Sequence, residues 1–291
     1  MVAERAGEGE RVTIAGSGRI SGGVYESVRV AGSGKIEGDI EAKTISTAGS
    51  CKIEGSAKAE ELTTAGTCKV TGSVEAGEVK TAGTCKIEGD VKADLFKCSG
   101  SQKVGGKLTA RYVRIAGFCE VGGDVEADKF IAEGSFRIDG LLSADEVEVR
   151  LGGDCRVREI GGERIEVRRK GRGLDLGGLR LEEKLERLSE KLDKLGERFG
   201  IEIKLDAHRL AQELGRLGER VQVSIGGWGS GSLEAELIEG DEVHLEWTRA
   251  RTVRGKKIWI GEGCEIDRVE YSDSLEVAPG AEVKVKERVK L

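Results

Sequence analysis

The segment LTTAGTCKVTGSVEAGE at residues 62–78 is followed at once by VKTAGTCKIEGDVKADL at residues 79–95. The second segment has the same design as the first segment, shifted by seventeen residues. The same design extends in both directions, and its first position is taken in turn by Val28, Ile45, Leu62, Val79, Phe96, Val113, Phe130 and Val147. A fixed period of this length is typical of repeat architectures, in which each unit packs only on its neighbours.

Within one unit, the side chains expected to face inward fall into three pairs, each with a spacing of two. The pairs are Leu62 with Thr64, Cys68 with Val70, and Val74 with Ala76. A spacing of two predicts strands with one buried face, and turns that stack in register lie about 4.8 Å apart. We therefore predict a mainly β fold, a three-sided parallel β-helix. Its core columns are Val28, Ile45, Leu62, Val79, Phe96 and Val113, and Ile36, Ile53, Val70, Ile87, Val104 and Val121.

Two glycine columns fall between these pairs, one running from Gly32 to Gly134 and the other from Gly38 to Gly140. They mark the corners of the turn. Glycine is expected there because a residue without a Cβ atom can adopt positive φ.

The repeat weakens after residue 150, and helical spacing replaces it. Two runs of apolar residues recur at intervals of three and four: Leu181, Leu185, Leu188, Leu192, Leu195 and Phe199, then Leu210, Leu214, Leu217 and Val221. The seventeen-residue period returns between Ile258 and Leu275. We predict a disordered N-terminal tail (residues 1–11), a β-helix (12–168), a helical hairpin insertion (174–224) and C-terminal β-helix coils (233–291). Whether the two β-helical parts stack on each other stays open.

Composition narrows the class of protein. Aromatic residues make up only 4% of the chain, so small and branched side chains must fill the core. A net charge of −6 argues against a general nucleic-acid footprint. The sequence shows no secretory leader and no run of eighteen apolar residues. We expect a cytoplasmic protein.

Short glycine-containing stretches such as KIEGDI at residues 35–40 and CKIEGDV at residues 85–91 resemble those of the bactofilins, the polymer-forming cytoskeletal proteins. The resemblance covers residues 12–150 and, less clearly, 237–285. It implies a right-handed β-helix that polymerises end to end without a nucleotide. The helical insertion departs from the family plan, so this chain would be a divergent member.

Physical reasoning also favours self-association. Each open end of a solenoid presents unpaired strand groups and an apolar cross-section, which another copy can extend. At the C-terminal end, the alternation Val283-x-Val285 predicts one more strand, whereas the run Lys286, Glu287, Arg288 and Lys290 could protect that end instead. We predict a non-enzymatic scaffold whose partner is itself, with no cofactor, metal or small-molecule substrate.

The cysteines allow several interpretations. Cys51, Cys68, Cys85 and Cys119 share one position of the repeat with Gln102, whereas Cys98, Cys155 and Cys264 are expected elsewhere. Small core-filling thiols are favoured over redox or metal chemistry, because parallel side chains do not converge on one ion. The Thr47, Thr64 and Thr81 column is likewise expected to pack rather than to form an ice-binding or sugar-binding face.

An enzyme of the hexapeptide acyltransferase type is the first rival, because those β-helices also repeat every six residues. They need a histidine base or histidine ligands at the coil edges. The two histidines here, His208 in the predicted second helix and His244 in a strand, lie outside the long repeat. No catalytic residue is predicted.

A monomeric or dimeric binding module is the second rival. The densest basic stretch could contact an anionic membrane, cell-wall polymer or nucleic acid, and it comprises Arg249, Arg251, Arg254, Lys256 and Lys257. A strand face balanced by nearby carboxylates explains the same residues. The apolar seam from Leu181 to Phe199 could also serve dimerisation, or pack internally.

Overall fold

The computed structural model describes residues 9–169 and 231–290. Within them the chain forms one parallel β-solenoid of about 13 turns. Its strands are β1 Arg11–Ile14, β2 Ser17–Val30, β3 Ser33–Thr47, β4 Ser50–Glu54, β5 Ala57–Thr64, β6 Thr67–Val70, β7 Val74–Thr81, β8 Thr84–Ile87, β9 Val91–Cys98, β10 Ser101–Val104, β11 Leu108–Ile115, β12 Phe118–Val121, β13 Val125–Ala132, β14 Ser135–Leu151, β15 Cys155–Arg169, β16 Leu233–Leu245, β17 Thr248–Ile260, β18 Glu265–Val277 and β19 Glu282–Arg288. The predicted β-helix is confirmed.

The described residues contain no helix. The predicted helical insertion, residues 174–224, lies outside them, as do the predicted N-terminal tail up to residue 8 and His208. The structure therefore gives no support to the helices predicted for this insertion. No helix in the part of the chain that the structure describes is long and apolar enough to cross a membrane.

Every strand pairs in parallel with the strand one turn away, so equivalent side chains lie over one another. The first core column runs the length of the solenoid: Val12, Val28, Ile45, Leu62, Val79, Phe96, Val113, Phe130, Val147, Ile165, Val243, Ile258 and Leu275. From Val28 to Ile258 its members are at most 3% exposed. Stacked branched and aromatic side chains therefore replace a globular core.

The period is not constant along this column. Successive members are sixteen residues apart from Val12 to Val28, eighteen from Val147 to Ile165 and fifteen from Val243 to Ile258. Shifts of register in the β2–β3, β14–β15 and β17–β18 pairs accommodate an extra residue in one of the two strands, as β-bulges do. The core columns thus stay aligned although the sequence repeat drifts.

The two β-helical parts form one continuous solenoid. Strand β15 pairs directly with β16, and Ile165 lies opposite Val243 in the first core column. The chain leaves the sheet after Arg169 and returns at Gly231, whose position matches the glycine corner of earlier turns. The intervening residues are thus inserted at a corner, and the hydrogen-bonded stack continues across the gap.

Glycine is required at the corners for a reason other than the expected positive φ. In the column from Gly32 to Gly134, none has a positive φ. A Cβ atom on Gly100 would instead lie 2.0 Å from the carbonyl oxygen of Gly83 on the preceding turn. In the second column, only Gly38 has a positive φ, of 105°. Close approach between turns therefore selects glycine.

Candidate functional site

The predicted core columns form the interior on which any end-to-end contact would build. All twelve predicted members are at most 1% exposed, and each lies opposite its counterpart on the next turn. Because the columns run parallel to the solenoid axis, each end of the described solenoid terminates in one cross-section of them. The candidate site is therefore an end surface and not a pocket.

Six inward positions make up each end cross-section. At the N-terminal end they hold Val12, Ile14, Gly18, Ile20, Gly23 and Tyr25. At the C-terminal end they hold Leu275, Val277, Ala281, Val283, Lys286 and Arg288. Strands β1 and β19 each have one strand partner among the residues that the structure describes. Within the described residues, each end therefore has a strand edge without a second partner strand.

The last turn corrects the expected alternation of the C-terminal strand. Val285 faces outward and is 39% exposed, whereas Lys286 lies opposite the buried Val269 and Arg288 lies opposite Tyr271. The three-residue step from Val283 to Lys286 follows the corner of the solenoid, where strict alternation stops. Two charged side chains therefore occupy positions that are apolar or small on earlier turns.

Aspartate side chains form a ladder of hydrogen bonds that joins successive turns at the corner of the second glycine column. The backbone N–H of Ser56 donates to Asp39 Oδ1 at 2.7 Å, and the N–H of Lys107 donates to Asp90 Oδ1 at 2.8 Å. The same contact, 2.8 Å long, joins Leu141 to Asp124. In each case the carboxylate satisfies a donor seventeen residues further on. The sequence pattern gave no signal for this role, because the aspartates looked like ordinary exposed charges.

The cysteine column is longer than expected. Cys51, Cys68, Cys85, Gln102 and Cys119 follow one another in register, as predicted. The expectation that Cys155 and Cys264 stand elsewhere is wrong, because strand pairing places both in this column, Cys155 one turn after Phe136 and Cys264 one turn after Thr248. Cys98 alone lies in the neighbouring column, that of Thr47, Thr64 and Thr81.

These thiols are poorly suited to metal binding or nucleophilic chemistry. All seven cysteines are unpaired and buried, and burial raises the pKa of Cys155 and of Cys264 to about 11. A hydrogen bond with Cys68, together with burial, raises the pKa of Cys51 far above its usual value. No cluster of three or more metal-ligating side chains occurs among residues 9–169 and 231–290. The thiols fill the core as small apolar groups.

The threonine column is also buried. Thr47, Thr64 and Thr81 are at most 2% exposed, so their hydroxyls cannot present a binding face to solvent. Gln102 is 1% exposed, and neither polar atom of its amide has a hydrogen-bond partner within the described part. Both features belong to the packed interior.

Residues 8–92 match the bactofilin family model, which is described as polymer-forming cytoskeletal. Two proteins of Bacillus subtilis (strain 168) are similar to part of the chain. Uncharacterized protein YhbF is 46% identical over 59 residues, which is 20% of this chain and 25% of that protein. Uncharacterized protein YhbE is 47% identical over 57 residues, which is 20% of this chain and 24% of that protein. The aligned segment spans about a quarter of either relative, and no solved structure gives a significant match.

The family match covers the N-terminal end of the solenoid. Residues 8–92 include β1 and reach into β9, so the matched segment contains the whole N-terminal cross-section. It also contains the first members of the cysteine and threonine columns and the corner contact between Asp39 and Ser56. The similarity to the family model is therefore confined to the part of the solenoid that begins at this end.

The predicted basic stretch lies on β17 and is largely neutralised. Arg249 pairs with Glu265 at 3.0 Å, Arg254 with Glu270 at 2.8 Å, Lys256 with Asp241 at 2.8 Å and Lys257 with Glu242 at 3.1 Å. Arg251 makes no ion pair within residues 9–169 and 231–290. Partner binding through these five residues stays a prediction, and their ion pairs favour a balanced strand face.

His244 is not placed for catalysis. Its ring stacks on Trp259 with centroids 3.9 Å apart, and burial lowers its pKa below the ordinary value. Glu246 lies 3.9 Å from its Nε2 atom. The arrangement packs an aromatic pair on the outside of β16 and β17 and assembles no nucleophile, base and orienting group.

Proposed function

We propose that this protein is a non-enzymatic cytoplasmic scaffold that assembles into nucleotide-independent polymers by stacking the ends of its solenoid. The observation that carries this proposal concerns the N-terminal end of the described solenoid. Its cross-section holds no charged residue, its strand edge has no partner within the described part, and it lies inside the segment that matches a polymer-forming family.

The physical basis is continuation of the same contacts. A second copy that docks on β1 would extend both the backbone hydrogen bonds and the apolar columns that already join one turn to the next. No nucleotide is needed in this scheme, because each added copy is bound by the burial of a cross-section and by strand pairing.

The test is sedimentation and negative-stain microscopy of purified protein without nucleotide, at low and high ionic strength. A variant that lacks residues 174–224 is run beside the full chain. End-to-end particles from the full chain support the proposal, and filaments from the deletion alone would show that residues 174–224 restrain assembly. Single solenoids from both proteins under every condition contradict it.

Binding of an anionic membrane or cell-wall polymer is the second candidate function. The specific observation in its favour is Arg251, which carries a charge that no carboxylate within the described residues neutralises. Salt-sensitive retention on heparin or on anionic vesicles, lost when Arg249, Arg251, Arg254, Lys256 and Lys257 are neutralised, would establish it.

A further inference from the structure

One pair of buried cysteines is the exception to the core-filling role of the others, because its two thiols meet across a corner of the solenoid. Cys98 ends β9 in the threonine column, whereas Cys119 lies on β12 in the cysteine column. The Cys98 Sγ atom lies 3.3 Å from the carbonyl oxygen of Phe118, the residue before Cys119. A hydrogen bond joins the two thiols. Sulfur atoms on two successive turns are therefore already in contact.

Thiols within the cysteine column are arranged differently. Cys51 and Cys68 lie opposite each other on paired strands, so strand spacing keeps their Cβ atoms about 4.8 Å apart with parallel side chains. The Cβ atoms of a disulfide are about 3.8 Å apart. Cys98 is not held to Cys119 by this spacing, because its own strand places it opposite Ile115. The side chains of Cys98 and Cys119 approach from two sides of a corner, so their sulfur atoms can converge.

The surroundings of Cys98 favour its ionised form. Hydrogen bonds with Cys119 and with the backbone at Gly100 and Gln102 lower the pKa of Cys98 despite its burial. The hydrogen bond with Cys98, together with burial, raises the pKa of Cys119. Because the thiolate is the reactive form of cysteine, Cys98 is the nucleophile of this pair and Cys119 is the second thiol.

A thin corner separates both thiols from solvent. Cys98 and Cys119 are 0% exposed. The corner beside them is formed by residues 99–101 on one turn and 116–118 on the next, and its side chains are exposed or, at Gly100 and Gly117, absent. The thiols are thus covered by backbone, and local opening of this corner would admit a small oxidant.

We propose that Cys98 and Cys119 form a reversible disulfide, which links two successive turns of the solenoid, when hydrogen peroxide oxidises the protein. The Cys98 thiolate attacks one oxygen of the peroxide, the O–O bond breaks, and the displaced hydroxide takes up the proton that Cys98 released. The Cys119 sulfur then attacks the resulting sulfenic acid, so that an S–S bond forms, the S–O bond breaks and water leaves with the Cys119 proton. The two thiols lose two electrons and two protons, and the peroxide becomes two molecules of water.

The disulfide would stabilise the folded chain within one molecule, independently of any assembly. It closes a loop of about 20 residues, which restricts the unfolded chain. Reduction by an added dithiol returns both cysteines to the thiol form. The solenoid would therefore resist unfolding more strongly under oxidising conditions than under reducing ones.

The test treats the reduced full chain with hydrogen peroxide, unfolds it and counts its free thiols. We expect two of the seven thiols to disappear and to return after treatment with dithiothreitol. Mass spectrometry of peptides prepared without reduction should show Cys98 joined to Cys119. Circular dichroism should show a melting temperature roughly 5–10 °C higher for the oxidised protein than for the reduced protein.

Three single variants assign the roles of the two cysteines. Cys98→Ala should form no disulfide, whereas the matched control Cys51→Ala, which also removes a buried, hydrogen-bonded thiol, should lose two thiols as the unmodified chain does. Cys119→Ala should retain a sulfenic acid at Cys98, which dimedone labels. Circular dichroism establishes that each variant is folded, and the peptide map of the unmodified chain decides the pairing even where a variant is not.

Three outcomes would overturn the disulfide. A bond between other cysteines, such as Cys51 and Cys68, would refute the pairing. Retention of all seven thiols by the folded chain, under peroxide that oxidises the urea-unfolded chain, would show that the pair does not react. A melting temperature that does not rise on oxidation would refute the link between turns. End stacking is measured separately by sedimentation, so it stands or fails independently of these results.

Discussion

Replacement of Gly100 by alanine tests whether close approach between turns holds the solenoid together. The added Cβ atom would lie 2.0 Å from the carbonyl oxygen of Gly83, whereas carbon and oxygen atoms in contact are about 3.3 Å apart. The two turns must therefore separate by roughly 1 Å at this corner. Two backbone hydrogen bonds join them there, from Gly100 N to Thr81 O at 3.3 Å and from Ser101 N to Gly83 O at 2.9 Å.

The expected loss of stability follows from these contacts. Each backbone hydrogen bond contributes about 1 kcal/mol net, and forced displacement in a packed region costs about 1–3 kcal/mol. Alanine recovers about 0.4–1 kcal/mol by restricting the unfolded chain. The free energy of unfolding should fall by about 2–4 kcal/mol, measured by urea denaturation followed by circular dichroism.

Gly16→Ala is the matched control, because Gly16 occupies the same corner of the first turn. No atom lies within 4 Å of the Cβ position there, and its φ is not positive. This variant should match the unmodified chain or gain about 0.4–1 kcal/mol. Equal unfolding midpoints for the two alanine variants would refute the argument that the preceding turn excludes a side chain from the corner.

Three further substitutions test the core, the corner ladder and the partly buried His244. Phe96→Ala should lower the free energy of unfolding by about 3–5 kcal/mol in urea denaturation, because it leaves a cavity at a fully buried position, whereas Leu95→Ala on the outer face of the same strand should cost about 1 kcal/mol or less. Asp124→Ala removes the acceptor of a backbone N–H, so the melting temperature should fall by an amount equivalent to about 1–2 kcal/mol in the free energy of unfolding. An equal loss in the control variant Asp128→Ala, at an exposed position, would contradict the role of the aspartate ladder. Burial lowers the pKa of His244 from 6.5, so the unfolded chain binds more protons, and stability should fall as the pH drops below 6.5. His244→Gln should flatten that part of a stability–pH curve, and an unchanged curve would show that the ring is not desolvated by folding.

The repeat made the fold predictable because a side chain in a solenoid contacts its equivalents one period away. Leu62 and Val79 could be placed opposite each other from their spacing alone, and the structure pairs them. The same reasoning failed for Cys155 and Cys264, because turns of different length change the local period, so a fixed spacing of seventeen residues no longer identifies the column. Pairing geometry, which a single sequence does not display, corrects the register.

The end surface was only partly predictable. The strand edges at the ends followed from the solenoid, but the register of Lys286 opposite the buried Val269 did not, because Val283 and Val285 suggested simple alternation. The corner of the solenoid that precedes Lys286 interrupts this alternation, and no glycine marks that corner. The aspartate ladder was missed for a related reason, since Asp124 reveals its role only through the position of a backbone donor on the next turn.

The insertion of a long segment at one corner has a mechanical consequence. Tension applied along the solenoid passes from β15 to β16 through their hydrogen bonds and apolar contacts, because the covalent connection between Arg169 and Gly231 is much longer than the gap that it spans. Rupture of this junction would release a tether of about 200 Å when fully extended, whereas rupture between other neighbouring turns releases about 55 Å. The protein therefore carries a built-in extension step whose length is set by the segment between those two residues.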